Sequence, residues 1–382
     1  MVIRTAMTFT LAFRNLFHDR IRLAVTMVGI LFSIVLVAVQ LGLYLGARNI
    51  IVSMIDRSEG DLWVMAYGTK NFEEAQPINV REKFAALSTP GVAKAVPIVV
   101  SFTDWRKPTG GTTLVVTIGT DAEEGGLKPW NVVEGDVSGL GARDAVIVDK
   151  SYLSDLGLKG VGDTAQIGAS RVRVAGMTDG IRSFTVTPYI FTTLTRSRSL
   201  LDMPAENVTY VLVKLAPGAD VQSVRRQLRE KVTDNSEVLT KAEFHDRSLN
   251  HWLFATGAGV ALIGGAILGL VVGTVIVAQT LYSSTKDHIN EFATLRALGS
   301  SSGYIHRVIL AQAALSAVLG YALGMIIAMT VVYMSEQTPL PIIMTPGLAA
   351  LLLGLTVAMC AISALSAIGK VMRIDPAVVF NR

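Results

Sequence analysis

Polar and apolar positions along the chain fall into two regimes. Four long stretches carry no Asp, Glu, Lys or Arg: between Arg22 and Arg48, between Arg247 and Lys286, between Arg307 and Glu336, and from about Pro346 to Gly369. A helix crosses the hydrocarbon core of a bilayer with roughly 20 apolar residues. The pattern therefore predicts spans at 21–48, 248–285, 306–334 and 346–370, joined by a connection at 286–305 and a short loop at 335–345, with a tail at 371–382. The first apolar run exceeds the roughly 7–15 residues of a signal-peptide core, and no convincing small-residue cleavage site follows it. It is expected to be an uncleaved anchor.

Within 49–247 the periodicity changes. Runs with β character occur at Asp61–Ala66, Ala95–Phe102, Thr113–Ile118, Ala145–Val148 and Ala165–Val174. The turn at Gly162–Thr164, with Gly168 between two alternating runs, predicts a small hairpin or barrel-like piece. Val208–Leu215 is a further run, followed by a helical repeat over Val221–Val232 in which Val221, Val224, Leu228 and Val232 share a face. The expected fold class is an integral membrane α-helical protein with four transmembrane helices and a large extracytoplasmic α+β domain between helices 1 and 2.

Composition agrees with a bilayer. Hydrophobic residues make up 51% and charged residues 17%, with a mean hydropathy of +0.48; soluble domains carry about 25% charged residues. Basic residues in short flanks mark the cytoplasmic side. Arg4, Arg14, Arg20 and Arg22 precede the first span; Lys286, Arg296 and Arg307 lie between the second and third; Lys370, Arg373 and Arg382 follow the fourth. The loop at 335–345 has no basic residue. Both termini and the 286–305 connection are thus expected in the cytoplasm of a bacterial inner membrane, with the domain outside. The net charge of +4 is not gathered into a stripe, so nucleic acid is not an expected partner.

Candidate chemistry is sparse. Asp121, Glu123 and Glu124 occupy a Gly-rich turn and fit a solvated acidic loop better than a general acid–base pair. The five histidines are scattered, and no HExxH occurs. The single cysteine, Cys360, lies in an apolar segment, which excludes an intrachain disulfide. No catalytic, cofactor-binding or metal-binding residue is expected. No ionisable side chain lies inside a span, which argues against an ion-coupled transporter. Gln40, Gln279 and Gln312 are expected to serve helix packing.

The second span carries a ridge of small residues. Gly257, Ala261, Gly265, Gly269 and Gly273 recur every four residues, a pattern that lets two helices approach closely and that predicts a homodimer seam, with helix packing inside one chain as the alternative. Gly320, Gly324 and Ala328, and Ala350, Gly354 and Ala358, make shorter versions. Residues 248–285 would extend on the order of 57 Å as one straight helix, against a bilayer core of about 30 Å. Tilt, a non-helical outer end or a stalk beneath the domain would absorb the excess; Trp252 and Tyr282 suit an interfacial belt. Two cytoplasmic pieces have amphipathic character. In residues 1–20, Phe9, Phe13, Leu16 and Phe17 oppose Arg14 and Asn15, as in a helix on the inner leaflet or a longer first helix. In 286–305, Ile289, Phe292 and Leu295 form an apolar side and Gly299 a stop signal, as in a helix that a partner could push or in a surface loop.

Here the residues bring a family into view. NEFATLRALGSSSGYIHRVIL resembles the segment of FtsX-like permeases that reads close to E-x-A-x-L-R-A-L-G, matched by Glu291, Ala293, Leu295, Arg296, Ala297, Leu298 and Gly299. The ending IDPAVVFNR, with Asp375, Pro376 and Ala377, resembles the family's usual C-terminus. The opening LAFRNLFHDRIRLAVTMVGILFSIVLVAVQLGL is similar to that of DevC-type permeases. The chain thus resembles permease subunits of ABC exporters in the MacB/FtsX-like superfamily, the DevC type in particular.

The resemblance implies a permease homodimer in the lipid membrane, driven by two copies of a separate ABC ATPase. That subunit would dock on Glu291, Phe292, Leu295, Arg296, Leu298 and Gly299, and would carry ATP and Mg, leaving this chain with no cofactor. No G-x-x-x-x-G-K-[ST] occurs in the sequence. In MacB proper an ATPase is fused ahead of the first span, which here follows only about 20 residues. The implied mechanism is mechanotransmission from the cytoplasmic face to the outer domain. A periplasmic adaptor and an outer-membrane duct are the implied further partners, with a lipid, glycolipid or amphiphile as cargo. LolC/LolE-like lipoprotein release and FtsX-like signalling to a cell-wall hydrolase are the alternatives; FtsX outer domains are usually smaller.

Overall fold

The computed structural model describes residues 13, 14, 17–287, 302–336 and 338–371. Two compact units result: a helical unit of Met1–Leu45, Val260–Glu336 and Pro341–Arg382, and an inserted unit of Gly46–Gly259 with Gln337–Leu340.

Helix α1 (Arg20–Asp56) starts behind Asp19, whose carboxylate accepts a hydrogen bond from the Arg22 backbone at 3.2 Å, the role of an N-cap. The helix runs past Arg48, where the apolar count alone ends the span. Ile50, Ile51, Val52, Met54 and Ile55 are buried, so apolar packing carries it on to Asp56. At 1.5 Å per residue its 37 residues extend about 55 Å.

The inserted unit then builds β1 (Leu62–Ala66), β2 (Ile78–Asn79), α2 (Arg81–Leu87), β3 (Val92–Arg106), β4 (Thr112–Gly119), β5 (Val132–Gly135), β6 (Ala145–Asp149), β7 (Thr164–Ile167), β8 (Ser170–Thr178), β9 (Tyr189–Thr192), α3 (Leu194–Leu201), β10 (Asn207–Val208), β11 (Tyr210–Leu215), α4 (Val221–Arg229), β12 (Ser236–Thr240) and α5 (Lys241–Leu249). The main sheet has the order β12-β1-β11-β3-β4-β9-β6-β8-β5, with β7 pairing β3 and β8, while β10 and β2 pair separately. Strand β3 belongs to both halves of the sheet: its first part, to Ile98, pairs β11, and its second, from Val99, pairs β4.

β1 is buried on both faces, and its period of two sorts its residues between two cores. Leu62, Val64 and Ala66 pack with α2 and α4 through Ala86, Val224 and Leu228. Trp63 and Met65 pack with Met54 and Ile55 from the end of α1 and Phe244 from α5. The Trp63 ring centroid lies 5.3 Å from both Tyr210 and Phe244 and 6.2 Å from Phe72.

The β runs read from the sequence all form strands, and Gly168, at φ +58°, turns the β7–β8 hairpin. The run Val208–Leu215 divides at Thr209. Its hydroxyl donates to the Ile98 carbonyl at 3.1 Å and accepts from the Val100 backbone at 2.8 Å, so the side chain takes strand bonds and the two halves join different sheets.

The helical unit contains most of α1 together with α6 (Ala258–Asp287), α7 (Ser302–Ser335) and α8 (Pro346–Val371). Among the described residues, four helices are thus long and apolar enough to cross a membrane. α8 opens on Thr345, whose hydroxyl accepts from the Leu348 backbone at 3.1 Å, with Pro346 in the first turn. The overlong uncharged stretch at 248–285 is divided: Asn250–Ala255 is π-helical, and Gly257 at φ +81° separates it from α6. The long unbroken helix is therefore α1.

Candidate functional site

The helical unit is assembled by side chains of α1 entering glycine notches on its neighbours. A Cβ on Gly265 would lie 2.8 Å from the Gln40 amide nitrogen, one on Gly269 2.9 Å from Leu36, and one on Gly273 2.5 Å from Ser33. On α7, Gly320 and Gly324 receive Ile30 and Ile34, at 2.4 and 2.9 Å from the same hypothetical atom. Such approaches allow interhelical hydrogen bonds to backbone carbonyls: Ser33 to Gly269 at 2.9 Å, Ser363 to Thr274 at 2.9 Å, and Tyr321 to Ala349 at 3.0 Å. Arg22 of α1 also pairs with Asp287 at the end of α6.

The predicted ridge is thereby divided. Gly265, Gly269 and Gly273 face α1 of the same chain and are occupied by it. Ala261 is exposed on α6, and Gly257 precedes the helix with nothing within 4 Å of its added Cβ. The other side of α6 presents Ile267, Leu268, Val271 and Val275, all exposed, with open space at Gly264. Glu291, Phe292, Leu295, Arg296, Leu298 and Gly299 lie outside the described residues. Of the N-terminal amphipathic segment, residues 13, 14, 17 and 18 are helical, and the Phe13 and Phe17 rings lie 4.4 Å apart.

In the inserted unit, polar contacts latch the outer end of α1 to the segment that leads into α6. Lys241 donates to the carbonyls of Asp56 and Ser58 at 2.6 and 2.8 Å, and His245 Nδ1 lies 2.8 Å from Asp56 Oδ1. Thr240 and Glu243 form a capping box that starts α5 at this latch. Further along α5, Arg247 holds Glu237 at 2.5 and 3.1 Å and donates to the Thr69 carbonyl at 3.2 Å.

A second anchor centres on Glu73, only 5% exposed. Its carboxylate accepts from Ser183 at 2.7 Å, Thr185 at 2.9 Å and Tyr189 at 2.6 Å. Burial, reinforced by the Glu73 charge, pushes the Tyr189 phenol well above its usual range. Burial pushes the neighbouring Tyr152 up to about 12; its oxygen accepts from the Ser183 backbone at 3.3 Å. Both phenols stay neutral, and Tyr189 donates to Glu73. The same loop turns Phe184 onto Trp252 of the π-helical turn, ring centroids 5.3 Å apart. These groups hold the irregular segments around 71–74 and 181–187 in place. None of this was legible in the sequence, because the partners of Glu73 lie more than a hundred residues away and the other pairs 31 and 68 residues apart.

The acidic loop borders a cavity of about 550 Å³, lined among others by Thr120, Asp121, Glu124, Lys128 and Leu140. Burial, and then the nearby Glu124, raise Asp121 above its ordinary value, while the Leu194 backbone at the start of α3 donates to it and opposes the rise. Lys128 pairs with Glu59 at 3.5 Å. Among the described residues no group of three or more His, Cys, Asp or Glu could hold a metal ion. The arrangement is one of latches and packed helices.

Comparison with known proteins places these features. A model of the MacB-like periplasmic core domain matches residues 23–231, and a model of the FtsX-like permease C-terminal region matches residues 263–376. Uncharacterized ABC transporter permeases from two strains of Mycobacterium tuberculosis are 24% identical over 376 residues, covering 97% of this chain and 98% of theirs. The periplasmic region of MacB from Actinobacillus actinomycetemcomitans aligns with 51% of this chain and 96% of its own, at 9% identity and a TM-score of 0.38. The extracellular domain of the noncanonic ABC-type transporter YknZ from Gram-positive bacteria covers 47% of this chain and 99% of its own, at 15% identity and a TM-score of 0.36. With the MacB-like model spanning more than half of its length, the chain belongs to the MacB/FtsX-like family of ABC transporter permeases.

Proposed function

We propose that the chain is the permease subunit of an exporter that works by mechanotransmission, energised by a separate ABC ATPase. The observation that carries this reading is the construction of α1. It is one unbroken helix from Arg20 to Asp56, and its last turn supplies Met54 and Ile55 to the core of the inserted domain. Lys241 and His245 tie that last turn to α5. A displacement of α1 along its axis would therefore move a packed β-sheet core, which is what force transmission requires.

On this reading the ATPase docks around Glu291–Gly299 and carries ATP and Mg, while this chain binds no cofactor. Both termini face the cytoplasm of a bacterial inner membrane. A periplasmic adaptor and an outer-membrane duct would complete a DevC-like assembly moving a lipid, glycolipid or other amphiphile. The permease is a homodimer. Because Gly265, Gly269 and Gly273 are filled by α1, the partner copy is assigned to the opposite face of α6, around Gly264, Leu268, Val271 and Val275.

Arg296→Glu tests the docking assignment. In a reconstituted complex the variant permease should insert and retain its thermal stability but lose the coupling of ATP hydrolysis to the membrane subunit. Undiminished coupled hydrolysis would count heavily against the assignment.

A further inference from the structure

One exposed apolar residue of the inserted unit has a backbone at odds with an ordinary surface turn. Val186 has φ +60° and is 46% exposed. The left-handed region is costly for a β-branched residue, and water-facing turns there use Gly or Asn. The turn is fixed from within: the Val186 backbone donates to the Ser183 carbonyl at 3.1 Å, and Glu73 holds the Ser183 and Thr185 hydroxyls. The anchoring of the loop, not its freedom, presents the Val186 side chain outward.

Two residues before Val186, Phe184 packs on Trp252, and Phe254, two residues beyond Trp252, is 49% exposed. Trp252 and Phe254 belong to the π-helical turn that ends at Ala255, and α6 begins at Ala258. Chain connectivity allows only about 10 Å between those two residues, and α6 is long and apolar enough to cross a membrane. The aromatic turn is thereby held close to the start of α6, and Trp is favoured at membrane–water interfaces. Strand direction agrees: β1 ends at Ala66 beside Ser236, and α5 returns to that end, where Arg247 bonds the Thr69 carbonyl.

We infer that Phe184, Val186, Trp252 and Phe254 form an apolar lip by which the inserted domain rests in the headgroup region of the nearer lipid leaflet. The partner is the lipid surface itself, continuous with the lipid that surrounds α6. The lip depends on the membrane placement of α6 and not on the export reading.

Single cysteines at Val186, Phe254 and Gln222, each in a Cys360→Ser background, test the lip. Gln222 is exposed at the start of α4, beyond the Leu215 end of β11, and serves as the water-facing reference. Each full-length variant is labelled with an environment-sensitive nitrobenzoxadiazole dye in phosphatidylcholine nanodiscs. Quenching is read with iodide and with a lipid carrying a nitroxide near its headgroup. Labels at 186 and 254 should be quenched by the lipid nitroxide and show a several-fold lower iodide quenching constant than the label at 222. A label at 186 as open to iodide as that at 222 would overturn the lip, and so would lipid quenching confined to 254.

Discussion

The hydroxyl of Ser33 on α1 donates to the carbonyl oxygen of Gly269 on α6 at 2.9 Å, across a contact with no room for a side chain. One turn further along α6, Gly273 faces the Ser33 side chain itself. These residues join two helices of one chain.

The two sides of α6 should therefore respond differently to bulk. Gly273→Val forces a Cβ to within about 2.5 Å of Ser33, and overpacking of this kind costs about 1–3 kcal/mol. Its thermal transition in nanodiscs should fall. Gly264→Val meets open space and should leave that transition unchanged while altering the monomer–dimer balance read by single-molecule photobleaching. The opposite assignment of effects would return the dimer seam to the glycine ridge.

Trp63 joins the end of α1 to the sheet. Trp63→Ala removes a fully buried ring in contact with Phe72, Tyr210 and Phe244, and a large-to-small change of this type costs about 3–5 kcal/mol. Denaturant unfolding of the inserted domain, followed by the fluorescence of the remaining tryptophans, should move to a lower midpoint, by that energy divided by the denaturant slope.

The Glu73 anchor predicts both a substitution effect and a pH dependence. Glu73→Gln replaces an acceptor of three hydroxyl donors with a group that brings its own donors, at a cost of about 1–3 kcal/mol. Tyr152, Tyr189 and Tyr210 have raised pKa values in the folded protein, against about 10 in an unfolded chain. Their neutral forms thus contribute stability that is complete below about pH 10 and is lost as pH rises through the folded values. Tyrosinate absorbance should show these phenols withheld at about pH 11 and released on unfolding; full titration in the native protein would contradict the burial.

Lys241 caps the outer end of α1. Lys241→Met removes donors to the Asp56 and Ser58 carbonyls, an interaction of about 0.3–1 kcal/mol for a cation at a helix C-terminus. Hydrogen exchange over residues 50–58 should quicken, with the protection of β11 unchanged.

Much of this was legible in the sequence where one local rule decides. Charge-free runs gave four spans because a bilayer tolerates little else, and the alternating strands were visible around Gly168. Other elements were not. β9 and β12 are short and wholly buried, so they carry no alternation to read. The outer part of α1 was hidden because Arg48 interrupts the apolar run, although apolar packing continues to Ile55. In the glycine ridge the spacing was legible but not its partner: a four-residue repeat fits a helix of the same chain as well as a second copy. Gly257 joined the ridge by spacing alone, yet its φ of +81° places it outside the helix.

Whether an ATPase drives this chain is decided by affinity purification of the full-length protein from its native membranes in mild detergent, with mass spectrometry of what accompanies it. A P-loop ATPase is expected at one copy per permease, retained when ATP hydrolysis is blocked and lost in Arg296→Glu. A purified chain that carries no ATPase under these conditions, yet remains folded, would contradict the assignment of this protein as the driven subunit of an exporter.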